Sequence, residues 1–338
     1  MRPVLAAIAI CLALASPAAA AVEIHAHRGG PIEAGVPVSP EDAQPAFDRS
    51  HSIGADWMEL DAKLSSDGVP FVIHDAGLDR TTDCTGNIGE KTAAQLAGCH
   101  VDVLGTEANI KQVPGATVPL PKLADFLAWA RAGRVRFNLE IKNQPGDPDF
   151  DPGSGFATKV LDAVTAANIP RDHILIQSFW PPNLDVAEAA GYSTSFLTLA
   201  NASNGSIEYA QSRGYEVLSP AWPIPNAADY VKRAHAAGKK VVPYTFNEED
   251  EVAAAIDAGV DAVIANDVLV AQDVIYGADC LEARAREASL RAALAKARAQ
   301  RSRSRGAARA KANARVKSVN RERQTAKRLR LKVCTPGP

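Results

Sequence analysis

Apolar residues along this chain recur at two spacings, and the two spacings alternate. Short runs rich in β-branched and aromatic residues lie at 23–27, 57–61, 136–141, 173–178, 194–199, 215–219, 240–245 and 261–265. Between most of them the apolar positions shift to the three- and four-residue spacing of an amphipathic helix, as at 120–132, 226–237 and 248–258. Gly54, Gly133, Gly191, Gly214, Gly238 and Gly259 stand where such helices should stop, because a helix commonly ends in a left-handed residue. Strand–helix alternation implies parallel strands. Eight such units in about 250 residues predict an α/β fold, a (β/α)8 TIM barrel, here over residues 22–278. A doubly wound sheet competes, but no glycine-rich phosphate fingerprint follows the first run.

One stretch breaks the alternation. After Asp61 come Ser65-Ser66-Asp67-Gly68 and then a second β-like run ending before His74. An Asp-Gly pair between two such runs is a hairpin signal, and too few residues separate them for a parallel crossover. The run at 69–73 is therefore expected to return antiparallel, as a hairpin extension after the second strand. It would bring His74 level with Glu59 and Asp61.

The ends of the chain read differently from the middle. Of the 338 residues 46% are hydrophobic and 22% charged, and the formal net charge of -2 is nearly neutral. That neutrality conceals a split: residues 281–332 hold 18 Lys and Arg against 3 Asp and Glu, so the rest of the chain is acidic. The basic stretch is rich in Ala, Arg and Lys, without proline, which favours helix. A helical hairpin turning near Arg301–Gly306 is expected, with a partly disordered extension as the alternative. Its charge suits an anionic envelope polymer or a membrane surface. Nucleic acid is disfavoured, since no aromatic residues interleave with the charges for base stacking.

Residues 1–20 have the form of a signal peptide. Arg2 precedes an apolar run, and Pro17-Ala18-Ala19-Ala20 offers a small-residue cleavage site. The apolar run is shorter than the roughly 20 residues a bilayer needs. The protein is thus expected to be exported, to a periplasmic, cell-wall or extracellular location. Export leaves Cys84, Cys99, Cys280 and Cys334, which allow three pairings. Cys84 with Cys99 would close a short loop and Cys280 with Cys334 would close the basic segment. An oxidising compartment favours disulfides over four free thiols. No cysteine shows zinc-ligand spacing.

The residues with chemical potential cluster at predicted strand ends: His27-Arg28-Gly29-Gly30, Glu59-x-Asp61, His74-Asp75 and Glu140-x-Lys142. In a barrel of this kind catalytic groups lie at the C-terminal ends of strands. Glu59 and Asp61, two apart on a strand, share a side. Two facing carboxylates raise each other's pKa unless something positive lies between them. A divalent cation satisfies them, with Glu140 from the next strand as a third ligand. Oxygen ligands favour magnesium, calcium or manganese over zinc. A cation with Arg28 and Lys142 makes an anion site suited to a phosphoryl group, and two histidines beside it can exchange protons.

The ordered set His-Arg-Gly, Pro40-Glu41, Glu-x-Asp, Asp-Gly followed by His-Asp, and Leu-Glu-Ile-Lys resembles the glycerophosphodiester phosphodiesterase family. Gln177-Ser178-Phe179, Tyr244-Thr245-Phe246-Asn247 and the run from Gly259 to Ile264 extend the resemblance over residues 23–277. It implies a TIM barrel that hydrolyses glycerophosphodiesters to glycerol 3-phosphate and an alcohol, with a divalent metal, Mg2+ or Ca2+. It further implies His27 and His74 as the acid/base pair, Glu59, Asp61 and Glu140 as metal ligands, and Arg28, Lys142 and Tyr244 on the substrate. In the family an adjacent glycerol hydroxyl is thought to attack phosphorus, giving a cyclic phosphate that water then opens.

Three departures stand out. Asp42 and Ala43 replace the family's usual Asn and Thr, Tyr244 replaces a usual Trp, and the basic tail lies outside the resemblance. Two rival functions are a phospholipase D or sphingomyelinase D-like enzyme acting on intact lipids and a catalytically inert envelope-binding barrel. The first would need an apolar rim, for which Phe150, Phe156, Phe179 and Trp180 are candidates. The second has no use for an acid/base pair.

Overall fold

The computed structural model describes residues 22–101, 118–199, 204–303 and 305–333. The expected signal peptide and Cys334, and with it the Cys280–Cys334 pairing, lie outside the described residues.

The parallel strands are β1 (Glu23–Ala26), β2 (Trp57–Leu64), β4 (Arg136–Ile141), β5 (Ile174–Ser178), β6 (Ser193–Thr198), β7 (Val217–Pro220), β8 (Lys240–Val241), β9 (Tyr244–Phe246) and β10 (Ala262–Ala265). The tenth strand of this sheet, β3 (Pro70–Val72), pairs antiparallel with β2, as the Asp-Gly turn predicts. Neighbours follow chain order, β2 to β4 and on to β8, while β10 and β9 continue from the other side of β1. That is the order of a barrel and not of a doubly wound sheet.

One predicted strand, 240–245, is two short ones. Proline has no N–H to give to a ladder, and Pro243 falls between the segments. Each segment takes a different neighbour: β8 pairs with β7 and β9 pairs with β10, so the broken strand joins the two ends of the sheet path. The Pro243 carbonyl still accepts from Ile264 N at 3.0 Å.

The period-2 alternation of strand side chains divides the barrel into two environments. On β2, Met58, Leu60, Ala62 and Leu64 join the main apolar core with Phe137, Leu139 and Ile141 of β4. The alternate positions Glu59, Asp61, Asn138 and Glu140 are also buried. The outward core packs against helices including α1 (Gln44–Ile53), α2 (Leu123–Gly133), α3 (Gly155–Ala166), α4 (Pro181–Ala189), α5 (Asn204–Arg213), α6 (Ala227–Ala236), α7 (Glu249–Ala258) and α8 (Val268–Tyr276). Five of the six expected glycine stops adopt positive φ; at α2 the left-handed cap is Arg134 (φ 54), one residue past Gly133.

Between β3 and α2 a second, smaller core gathers Phe71, Ile73, Leu78, Ile88, Leu96 and Val101. The Cys84–Cys99 disulfide closes a loop inside it. This unit abuts the hairpin and holds the segment after His74. Beyond the barrel, α9 (Ala278–Arg303) and α10 (Gly306–Val333) pack on each other as a hairpin, and α9 also touches α8 and α1. Among the described residues no helix is long and apolar enough to cross a membrane.

Candidate active site

The first strand ends in a turn that only glycine-rich sequence can make. Arg28 (φ 48), Gly29 (φ 82) and Gly30 (φ 66) are three successive left-handed residues. A Cβ on Gly30 would lie 2.6 Å from Ser50 Oγ and 2.8 Å from Val268 Cγ2, too close to be relieved without moving α1 or α8. The turn aims the Arg28 amide at the barrel axis, where it donates to Glu59 Oε2 at 2.7 Å.

Strand register brings the carboxylates together. Asp61 is the direct neighbour of Glu140, and Glu140 of Gln177. One oxygen from each of Glu59, Asp61 and Glu140 lies within 4.8 Å of the others, all three residues buried. Glu59 is anchored on its other side by Gln177 Nε2, which donates to Oε1 at 2.6 Å. Both Asp61 oxygens are buried without a hydrogen-bond partner. Their nearest cations are Arg28 Nε at 3.4 Å and Lys142 Nζ at 3.9 Å; Lys142 Nζ lies closer to Glu140 Oε1, at 3.0 Å.

The electrostatics of this cluster are unbalanced. Burial first, then the Asp61 charge, raises Glu59 well above the usual carboxylate range. Burial likewise pushes Glu140 up to about 7 against the pull of Lys142. Burial also works against ionised Asp61, but Lys142, His74 and Arg28 together hold it below its ordinary value. Three carboxylates with two cations at the edges leave charge that a hard divalent ion would neutralise. Converging oxygen donors and unpartnered Asp61 oxygens fit such an ion.

The histidines approach from either side. His27 Nδ1 bonds Asn266 Oδ1 at 2.6 Å, and Asn266 is held in turn through its Nδ2, which donates to Asn247 Oδ1 at 2.7 Å. Burial, with Arg28 beside it, pushes the His27 imidazole down to about 3. His74 is set at the rim by the hairpin, whose Ile73 amide donates to Asp61 O at 3.0 Å. Its Nδ1 bonds Asp75 Oδ1 at 2.5 Å, and burial lowers its pKa despite Asp61 and Asp75. Asp75 accepts from Arg80 Nε, and Arg80 donates to both Glu41 oxygens at 3.0 and 2.7 Å. Glu41 then takes Arg28 Nη1 at 3.1 Å. A continuous line of charged bonds thus runs from His74 through Asp75, Arg80 and Glu41 to Arg28.

Every candidate site residue converges on this mouth. His27, Arg28, Glu59, His74, Glu140, Lys142 and Tyr244 line a cavity of about 150 Å³ with Gln177, Phe179 and Leu197, and Asp61 is buried among them, paired with Arg28 and Lys142. Tyr244 forms part of the wall, edge-on to Phe179 with centroids 5.9 Å apart, its hydroxyl donating to Thr198 O. Glu41 bridges Arg28 and Arg80. Arg80 and Asn266 escape sequence reasoning, and Asp42 gains a meaning. The Asp42 carboxylate is buried and accepts weakly from the Asp61 amide; burial and the Asp61 charge push it well above the ordinary value. Of the apolar rim candidates, Phe156 belongs to the core, Phe150 meets Trp180 edge-on, and Phe179 faces the cavity. Among the described residues the exposed large hydrophobics are instead Val36, Val38 and Leu199.

The profile of the glycerophosphoryl diester phosphodiesterase family matches residues 27–270. The chain is similar to a glycerophosphodiester phosphodiesterase of Caldanaerobacter subterraneus, 27% identical over 245 residues, covering 72% of this chain and 93% of that one. It is also similar in fold to two solved structures. One is a glycerophosphoryl diester phosphodiesterase from Silicibacter pomeroyi (TM-score 0.63, 21% identity, 76% of this chain and 93% of that one). The other is an Oleispira antarctica phosphodiesterase in complex with the product sn-glycerol-3-phosphate (TM-score 0.60, 24% identity, 75% and 97%).

Proposed function

The chain belongs to the glycerophosphoryl diester phosphodiesterase family, and we propose that it hydrolyses small glycerophosphodiesters to glycerol 3-phosphate and an alcohol. The observation that carries this reading is the buried Glu59, Asp61 and Glu140 cluster with unpartnered Asp61 oxygens, flanked by two histidines and two cations.

Glu59, Asp61 and Glu140 would hold the divalent ion. When bound, it supplies positive charge that draws in and polarises the phosphoryl oxygens. Arg28 and Lys142 add fixed positive charge where the diester anion sits. The hydrogen bonds support different duties for the histidines. His27 Nδ1 faces an amide oxygen whose own amide nitrogen is already committed to Asn247, so Nδ1 carries the proton and Nε2 is left to accept one. His27 then takes the proton of the attacking glycerol hydroxyl as the oxygen–phosphorus bond forms. His74, backed by the Asp75 carboxylate, is better suited to carry positive charge, and gives its proton to the leaving alcohol oxygen as that bond breaks. Opening of the cyclic phosphate by water reverses the two roles. The cavity of about 150 Å³ is well below the roughly 300–1,000 Å³ of drug-sized sites, which suits a compact phosphodiester.

Intact lipid as substrate draws support from one feature: exposed Val36, Val38 and Leu199 follow the C-terminal ends of β1 and β6, on the catalytic rim. The experiment is to incubate the protein with glycerophosphocholine or lysophosphatidylcholine, before and after EDTA treatment, and to measure glycerol 3-phosphate and free choline. Glycerol 3-phosphate from the first substrate, lost with EDTA and restored by Mg2+ or Ca2+, supports the reading. Turnover of lysophosphatidylcholine alone, or turnover indifferent to EDTA, contradicts it. Export is part of the same proposal, supported by the form of residues 1–20 and by the Cys84–Cys99 disulfide. N-terminal sequencing of the protein recovered outside the cytoplasm should begin near Ala21.

A further inference from the structure

Among the described side chains, the α9–α10 hairpin buries apolar residues and turns its charge outward. Leu294 and Ala297 of α9, three residues apart, and Ala312, Val319 and Ala326 of α10, seven apart, are buried, the spacings of a packing seam. Small residues on that seam account for the close pairing of the two helices. Between 289 and 321 the chain has eleven basic residues and no acidic one, and all eleven are exposed. Like charges so close along a helix repel at i, i+4 separations, and no acid within the stretch offsets them. Such a surface is costly on its own and is relieved by a polyanion.

The placement of the charges says what kind. Residues on either side of a seam position lie about 100° to its left and right. Lys296 and Arg298 flank Ala297, while Arg315 and Lys317 flank Val316, which is half-buried four residues from Ala312 and three from Val319. Both broad sides of the two-helix arm are therefore positive. A bilayer would meet one side only and would want an exposed apolar stripe, but the apolar positions named here are buried or half-buried. Single-stranded nucleic acid would want aromatic platforms, and no aromatic residue follows Tyr276. Eight of the eleven charges are arginine, whose forked guanidinium matches phosphate oxygens two at a time. We propose that the hairpin is a binding arm for a linear, phosphate-bearing polyanion that is held along both of its sides, separate from the barrel's catalytic mouth.

The test uses the whole protein and fluorescently labelled linear inorganic polyphosphate, with anisotropy read from 50 to 300 mM NaCl. Phosphatidylglycerol vesicles and a labelled DNA duplex serve as the other arms. In the variant, Lys296, Arg298, Lys311, Arg315 and Lys317 are each replaced by glutamine, which preserves helix propensity; circular dichroism and glycerophosphodiester turnover check that it is folded. Polyphosphate affinity should fall at least 30-fold at low salt, and the slope of log K against log salt should flatten by about 3.5, as expected for five lost contacts to a single-stranded polyanion. Arg298→Lys with Arg315→Lys should keep the salt slope while weakening binding, because charge remains and the fork does not. The proposal is overturned if the glutamine variant binds as the parent does, or if vesicles or duplex bind more tightly than polyphosphate. It is equally overturned if the protein associates with itself in a salt-reversible way without polyanion, since the occupant would then be the acidic barrel of a second copy.

Discussion

At the lower mouth of the barrel Glu23, Trp57 and Arg136, from three neighbouring strands, satisfy one another. Glu23 accepts from Trp57 Nε1 at 2.9 Å and Arg136 Nη1 at 2.7 Å, and the guanidinium sits 4.7 Å over the Trp57 ring. Farther along the same strands, at the upper mouth, Glu59, Asp61 and Glu140 crowd together and the Asp61 oxygens accept no hydrogen bond, their nearest cations standing 3.4 and 3.9 Å away. The lower cavity is the larger, about 810 Å³ against about 150 Å³. Size therefore points to the wrong end. What distinguishes the reactive end is charge that the protein has buried without balancing.

The sharpest way to break this contrast is to remove a carboxylate at each end. Asp61→Asn should lower glycerophosphodiester turnover on the order of 10³-fold, as losing a fixed charge from a preorganised site does, with the melting temperature unchanged or raised. Glu23→Gln should leave turnover intact and lower the melting temperature, because it leaves Arg136 without its closest anion. His27→Ala and His74→Ala should each cost at least about 10²-fold in kcat, and His74→Ala should be partly rescued by added imidazole.

Arg80→Met tests the line of charges that joins His74 to Arg28. It should lower kcat about tenfold with little change in KM, in the range found for partners that orient reacting groups. Arg80→Lys should recover part of the loss, since one of its two anions can still be met.

The smallest effect concerns pH and the lower end. Burial pushes His25, stacked on Trp57 and accepting from Asn138 Nδ2 at 3.3 Å, down to about 3. A folded-state pKa below the unfolded value means the unfolded chain takes the proton first. The contribution of His25 is thus undiminished above pH 6.5 and is lost as pH falls from 6.5 toward 3. At pH 5 the loss is about 2 kcal/mol. His25→Gln should shrink the drop in stability between pH 7 and pH 5, measured by urea unfolding, without altering turnover at pH 7. An unchanged pH dependence would mean that His25 is not held neutral.

How much of this was legible in the sequence follows the range of the interactions. Glu59 and Asp61 are two apart on one strand, so the period-2 rule alone puts them on one side, and the Asp-Gly turn alone returns His74 beside them. Arg80 was not legible. Its partners Asp75 and Glu41 lie 5 and 39 residues away along the chain, and nothing periodic links a loop residue to the turn after the first strand. Asn266 reaches His27 across 239 residues, a contact made only because β10 closes beside β1. Glu41 stands out in the sequence only as part of a motif, and its bridge from Arg28 to Arg80 forms because the loop after the hairpin folds back 39 residues along the chain. The run 240–245 read as one strand although Pro243 lacks the N–H a ladder needs, and that its two halves join the ends of the sheet emerges only from the ring. The helical tail was readable because its composition, unlike the barrel's contacts, is local.

The most direct test of the central contrast is calorimetric titration of divalent cation into the EDTA-treated protein. One site should appear in the parent and in Glu23→Gln, with affinity for Mg2+, Ca2+ or Mn2+, and should vanish in Asp61→Asn. Equal binding by all three proteins, or binding lost with Glu23 and kept without Asp61, would contradict the assignment of the upper mouth as the cation site.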